Sequence, residues 1–235
     1  MIKLVILAFT FLKFGKIAAT GGTMALSLIL YAQIFGWAYA GGFIALLFAH
    51  EMGHYIAARQ RGLNVGAPMF IPFVGAFISL KQQPMNVETE AYIAFAGPFL
   101  GTLAAFAAYF YARETDSRLW LAVAYSGFFL NFFNLLPVSP LDGGRITAIL
   151  SPRIWLIGAP LLLALLLYRP SPALILIVIV AIPQLRAAWR YNPKDPQNIA
   201  YYNATPELRL EYGAMYFGLA ALLAIMTYSV HGMLG

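Results

Sequence analysis

His50-Glu51-Met52-Gly53-His54 lies inside the apolar run from Phe43 to Ala58. On a helix, residues i and i+4 share one face about 5–6 Å apart, so both imidazoles reach one cation through bonds of about 2 Å. Glu51 is turned roughly 60–100° from the two histidines at 3.6 residues per turn. Its carboxylate then stands beside the metal, where it can take a proton from water. In a soluble helix the same spacing is often a surface charge cluster. That reading weakens inside an apolar run, because a carboxylate at mid-membrane costs roughly 3 kcal/mol on insertion scales and tends to be kept for function. Two of the three histidines in the chain are in this pentapeptide. The stretch therefore sets two expectations: a membrane-embedded helix, and a zinc centre on it with His50 and His54 as ligands and Glu51 as general base.

Composition agrees with the first expectation. The 235 residues are 61% hydrophobic and only 10% charged, with a mean hydropathy of +0.75, well outside the range of a soluble domain. No shift in composition marks a separate soluble part, so residues 1–235 read as a single transmembrane domain. The absence of cysteine removes thiolate ligands and leaves His and carboxylate to hold any metal. The net charge is +6, but the basic residues sit mostly at the ends of apolar runs. That distribution speaks for orientation in a lipid bilayer and against nucleic-acid binding.

Outward from the pentapeptide, candidate spans are Ile17–Ala40, Gly41–Ala58, Ala91–Ala112, Leu119–Leu136, Ile154–Tyr168, Pro172–Ala188 and Gly213–Leu234. The fifth would reach only about 22 Å of a roughly 30 Å hydrocarbon core, so it either crosses or forms a partial hairpin with the sixth through Arg169-Pro170-Ser171-Pro172. The fold class expected is an all-α polytopic membrane protein, a six- or seven-helix transmembrane bundle. Leu4–Leu12 is followed directly by Lys13 and Lys16 instead of a cleavage region, and reads as an uncleaved interfacial segment. With the N-terminus inside, all but Arg113, Arg118 and Arg169 of the 15 Lys and Arg residues collect on the inner face. The positive-inside bias then puts the N-terminus and the metal motif toward the cytoplasmic side.

Catalytic zinc uses three protein ligands, and the best third candidate is Asp142 in Asn134-Leu135-Leu136-Pro137-Val138-Ser139-Pro140-Leu141-Asp142-Gly143-Gly144-Arg145. Pro137 and Pro140 break the fourth span near its end, and irregular backbone at membrane depth survives where it is buried in protein or lines a wet cavity. Alone, the tract reads as an Asp-Gly turn; paired with two histidines it reads as a ligand loop. Met69–Leu80 is apolar but too short to cross as a helix. Its Phe, Val and Ile favour extended backbone, while Pro72 and Gly75 oppose a continuous helix.

The His-Glu-x-x-His helix and the downstream Asn-x-x-Pro-x-x-x-Leu-Asp-Gly segment together resemble the site-2 protease family of intramembrane zinc metallopeptidases. The resemblance covers Phe43 to Arg145, including Ala96-Gly97-Pro98, and is weaker beyond Pro152. It implies Zn2+ held by His50, His54 and Asp142, Glu51 as general base, and Asn134 as a polar group that steadies substrate or intermediate. It also implies that Met69–Leu80 is a small membrane-dipping β-loop that holds substrate in extended form; a loop that merely plugs the bundle is the lesser alternative. A transmembrane protein would be the substrate, cleaved in or near its spanning segment in regulated intramembrane proteolysis. The PDZ or CBS domain of many relatives does not fit in this chain.

Remaining features have plainer readings. Asn131 reads as interhelical hydrogen-bonding glue, Gly97-x-x-x-Gly101 as a close helix-packing face, His231 as interfacial, and Arg145 as an inner-face anchor. Trp189–Glu211 reads as a cytoplasmic connector that can also cover the mouth of the site. The alternative function is a non-proteolytic metal-binding protein or a divalent-metal carrier. A carrier would place acidic or His ligands along several spans, whereas Glu51 is the acidic residue well inside one.

Overall fold

The structure, a computed structural model, describes residues 20–235; the segment Leu4–Leu12 lies outside the described residues. Helix α1 (Thr20–Phe35) leads into α2 (Trp37–Gln60), a hairpin of β1 (Met69–Ile71) and β2 (Gly75–Phe77), α3 (Val87–Thr115) and α4 (Arg118–Asn134). After an irregular segment follow α5 (Asp142–Thr147), a 3-10 turn (Pro152–Ile154), α6 (Trp155–Tyr168), α7 (Pro172–Trp189), α8 (Pro196–Tyr201) and α9 (Pro206–Leu234).

The helix expected over Ile17–Ala40 ends earlier, at Phe35. Gly36 has φ of 80°, outside helical backbone, so Trp37–Ala40 become the first turn of α2. The later helices start on polar caps: the Asn86 side chain accepts from Thr89 N–H at 2.9 Å, and Ser117, Ser171 and Thr205 cap α4, α7 and α9 in the same way. Each such bond satisfies a backbone donor that the first helical turn leaves free.

Helices α2, α3 and α4 form the centre, where small side chains on α3 (Ala91, Ala94, Ala105) pack among Leu46, Val123, Ala124 and Phe128. Tyr216, Leu219 and Leu223 of α9 complete this core. The most apolar stretch of α3 is 44% buried, against 17% in α7 and in α9. The last two therefore face outward with Ile175, Ile179, Val180, Phe217 and Ile225 exposed, as lipid-facing helices do. These three helices are long and apolar enough to cross a membrane, and α1 and the Pro152–Tyr168 run are apolar but shorter. Length and composition thus support three crossings on their own, within the six or seven that the sequence suggests. Helices α6 and α7 share the cluster of Val138, Leu141, Leu162, Leu174 and Ala181, in line with the hairpin alternative.

The short apolar tract is extended, as its residues favour. Strands β1 and β2 pair antiparallel, with Met69 opposite Phe77, Phe70 opposite Ala76 and Ile71 opposite Gly75. Phe70, 2% exposed, packs with Ile44 and Leu47 of α2 and anchors the hairpin one turn before His50.

Between α4 and α5 the two prolines stop the helix, and the chain folds back on itself. Tyr216 OH donates to Leu135 O and Trp155 Nε1 to Gly144 O, each at 2.7 Å. The first bond satisfies a backbone carbonyl at the end of the broken helix, and the second ties α6 to α5, where Gly144 O also accepts from Ala148 N–H. At Gly143 a Cβ would lie 2.1 Å from Leu135 O, so this turn has no room for a side chain. Gly143→Ala should therefore cost about 1–3 kcal/mol or more, as overpacking does. Gly218→Ala, where nothing lies within 4 Å, should be neutral or slightly stabilising. Thermal unfolding of the two variants in detergent checks this pair; equal unfolding temperatures would refute the tight turn.

Candidate metal centre

Helix α2 buries His50, Glu51 and His54 to 3–5% exposure, and α5 brings Asp142 to the same place at 8%. His50 Nε2 lies 3.1 Å from His54 Nε2. Asp142 Oδ2 lies 3.2 Å from His50 Nε2 and 3.3 Å from His54 Nε2. A tetrahedral ion with arms of about 2.0 Å separates its ligands by about 3.3 Å. The three atoms therefore form the triangle that one such ion would cap, and these residues could hold a metal. His54 Nδ1 is 2.8 Å from Ile93 O. A carbonyl only accepts, so Nδ1 carries the proton and Nε2 keeps a lone pair for a ligand role.

The glycine between the histidines is a matter of space. A Cβ at Gly53 would meet Ala96 O at 2.2 Å, and one at Gly97 would meet His54 Cε1 and Nε2 at 2.2 Å. Helix α2 thus lies directly on the backbone of α3, with the His54 ring on Gly97. The Gly97-x-x-x-Gly101 stripe is a packing face, as expected, and also a seat for site side chains.

Glu51, His50, His54, Asn134 and Asp142 line one cavity of about 480 Å³, together with Val74–Ile78 of the hairpin and Ile177 of α7. Its size suits a bound segment rather than a lone water. The three expected ligands, the Glu51 carboxylate and the half-buried Asn134 are therefore brought together around one space. Arg145 sits at the rim as well as at the inner end of the bundle: its Nε is 3.3 Å from Glu90 Oε1, and its Nη1 is 3.9 Å from Asp142 Oδ1. His231 instead packs against Tyr125, with ring centroids 5.4 Å apart.

The connector reaches this rim. Tyr201 OH of α8 donates to Glu90 Oε2. Burial and the neighbouring Glu90 carboxylate push the Tyr201 phenol up, so it stays a donor at physiological pH. A second, polar cavity of about 640 Å³ lined by Gln82, Gln184, Gln197 and Tyr201 adjoins the first through Leu80 and Arg145. The residue that the sequence undervalued is Asn131, whose Oδ1 is 2.8 Å from His50 Nδ1. Its spacing of three from Asn134 put it on the same face of α4, and that was the available signal.

Residues 38–115 match the model of peptidase family M50, the site-2 protease family. The matched stretch holds α2 and α3, hence His50, Glu51, His54 and the seat of His54; Asp142, Asn131 and Asn134 lie beyond it. No curated protein matches the chain. The match supports a membrane metallopeptidase, and the His50, His54 and Asp142 group could hold a metal ion.

A ligand that ties α2 to α5 must stabilise the fold, by about 2.7 kcal/mol when free metal is a hundredfold above its Kd. Chelation should therefore lower the unfolding temperature of the wild type, and re-added Zn2+ should restore it. Asp142→Asn should lose most of this response. A wild type indifferent to chelation, or an Asp142→Asn variant that answers Zn2+ fully, would refute the centre.

Proposed function

We propose that the chain is an intramembrane zinc endopeptidase that hydrolyses peptide bonds in or near transmembrane segments of membrane-protein substrates. The observation that carries this reading is the buried His50–His54–Asp142 triangle beside Glu51, in a cavity within an apolar helical bundle. His50, His54 and Asp142 would hold the ion, which when bound supplies Lewis-acid activation of water and of the scissile carbonyl.

The residues of the chain do the rest. Glu51 accepts a proton from the attacking water at its carboxylate and delivers it to the leaving amine nitrogen. Asn134, on the cavity wall, offers its amide to the oxygen on which charge develops. Strand β2 lines the cavity while pairing with β1 along one edge, so an unwound substrate strand can add to its other edge. Unwinding comes first, because a helical amide is shielded by its own hydrogen bonds and side chains. The substrate class that follows is a membrane protein with a helix-destabilising stretch. A carrier would distribute its ligands along a pathway; among the described residues the potential ligands gather in one centre.

Glu51→Gln keeps the size of the side chain and removes the base. It should lower cleavage by about 10²–10⁴-fold while the metal content stays near that of the wild type. Membrane proteomics of cells carrying either form should show single-span fragments that persist only with Glu51→Gln, and these would name the substrate. An active Glu51→Gln enzyme would sink the assigned role.

The same reading puts the N-terminus and the site toward the cytoplasmic side of the cell membrane. Since the chain has no cysteine, one introduced at Arg59 should resist an impermeant thiol reagent in intact cells, while one at Ser117 should react. Reversed labelling would place the site on the outer side.

A further inference from the structure

We propose that Asn131 is a positioning residue of the metal centre: through His50 Nδ1 it holds the imidazole in the tautomer and orientation that aims Nε2 at His54 and Asp142, in a socket kept open by Gly101. The inference rests on the metal-centre reading of His50, His54 and Asp142.

Asn131 is 1% exposed and lies on α4, whereas His50 lies on α2. Its amide makes two bonds in opposite directions. Nδ2 donates to Gly127 O at 2.8 Å, and Oδ1 faces His50 Nδ1 at 2.8 Å. The first bond decides which way round the amide sits, because a carbonyl at Gly127 accepts and would repel an amide oxygen. The oxygen therefore points at His50 and can only accept there, so Nδ1 is the donor and the lone pair of the ring is left on Nε2. His54 reaches the same tautomer through Ile93 O, so both rings are set by acceptors that carry no charge.

The third wall of the socket is α3. A Cβ at Gly101 would lie 2.4 Å from Asn131 Oδ1 and 2.8 Å from Nδ2. The amide is thus held by α4 from its own side, by α3 from behind and by the His50 ring in front. Rotation away from His50 would strand buried donors and acceptors, which is costly in an apolar bundle. An amide also suits the site better than a carboxylate would. Asp142 and Glu51 already place two buried carboxyl groups at the site, and a third beside His50 would have to be desolvated without a cation of its own.

Helix glue and a positioning role predict different things. A bond that merely ties α2 to α4 would affect folding with or without metal. A bond that sets His50 should affect metal binding, and loss of such an outer partner typically weakens affinity about 10–100-fold. The experiment is competition for Zn2+ between a chelating dye and the purified full chain in detergent, with thermal unfolding of the zinc-free forms in parallel. Asn131→Leu, of similar size but without an acceptor, should bind Zn2+ about 10–100-fold more weakly while the zinc-free protein remains folded. Asn131→Asp keeps the acceptor and should bind Zn2+ more tightly than Asn131→Leu does. Gly101→Ala, which touches no ligand, should weaken Zn2+ by crowding the amide, and should have little further effect in an Asn131→Ala background. Wild-type affinity in Asn131→Leu would overturn the proposal. If that variant does not fold, an equal cost of Gly101→Ala with Asn131 present or absent would overturn it instead. A wild type that binds no Zn2+ would end the metal-centre premise itself, an outcome distinct from these.

Discussion

A carboxylate and two imidazoles buried at the centre of an apolar bundle cannot be left without partners, and the rest of this fold is arranged around that constraint. Asp142 is 8% exposed and meets His50 and His54 at 3.2 and 3.3 Å. Desolvating such groups is costly unless an opposite charge or a full set of hydrogen bonds offsets it. Helix α3 supplies much of that support. Its backbone at Ile93 receives His54 Nδ1, its Gly97 makes room for the His54 ring, and its first-turn Glu90 anchors Arg145. The deeper burial of α3 than of α7 or α9 follows from this role, because the side that carries the site cannot also face lipid.

The irregular segment 135–141 answers the same constraint from the other side. A continuous α4 would carry the chain past α2 without turning an acidic residue toward it. Two prolines stop the helix, the Leu135 carbonyl at its end is taken up by Tyr216, and Trp155 ties α6 to Gly144 O of α5. The turn and α5 are therefore tied to α9 and α6, and the bond from α9 pairs backbone that would otherwise be unsatisfied in a low-dielectric environment. Asp142 then enters at the start of α5, with its orientation set by a close-packed turn rather than by a flexible loop.

What was legible in the sequence is what local rules encode. His50, Glu51 and His54 follow from the period of a helix, Asp142 from prolines that break one, and the hairpin from apolar residues too few to span. Even the limits of α1 and α2 turned on one glycine, Gly36, whose positive φ no periodicity reveals. Asn131 was harder. Its character as a hydrogen-bonding residue between helices was readable, but its partner was not, since that depends on the rotation of α4 against α2. The contact of Gly97 with an imidazole and of Gly101 with an amide is hidden for the same reason: a stripe of glycines says that something approaches closely, not what.

The link between connector and site belongs to this second kind of information. Tyr201 lies 111 residues beyond Glu90 in sequence yet bonds to it, and Glu90 in turn holds Arg145 beside Asp142. Arg209, at the start of α9, donates to Leu150 O just after α5, and to Tyr202 O and Ala204 O in the connector. Arg145 thus ties the stretch 142–150 to α3 from within, and Arg209 holds its last residue. A polar cavity lined by Gln82, Gln184, Gln197 and Asn198 together with Glu90 and Arg145 adjoins the main cavity at Leu80 and Arg145. The polar connector and the buried centre are in this sense one construction, in which half-buried hydrogen bonds hold in place the segment that carries Asp142.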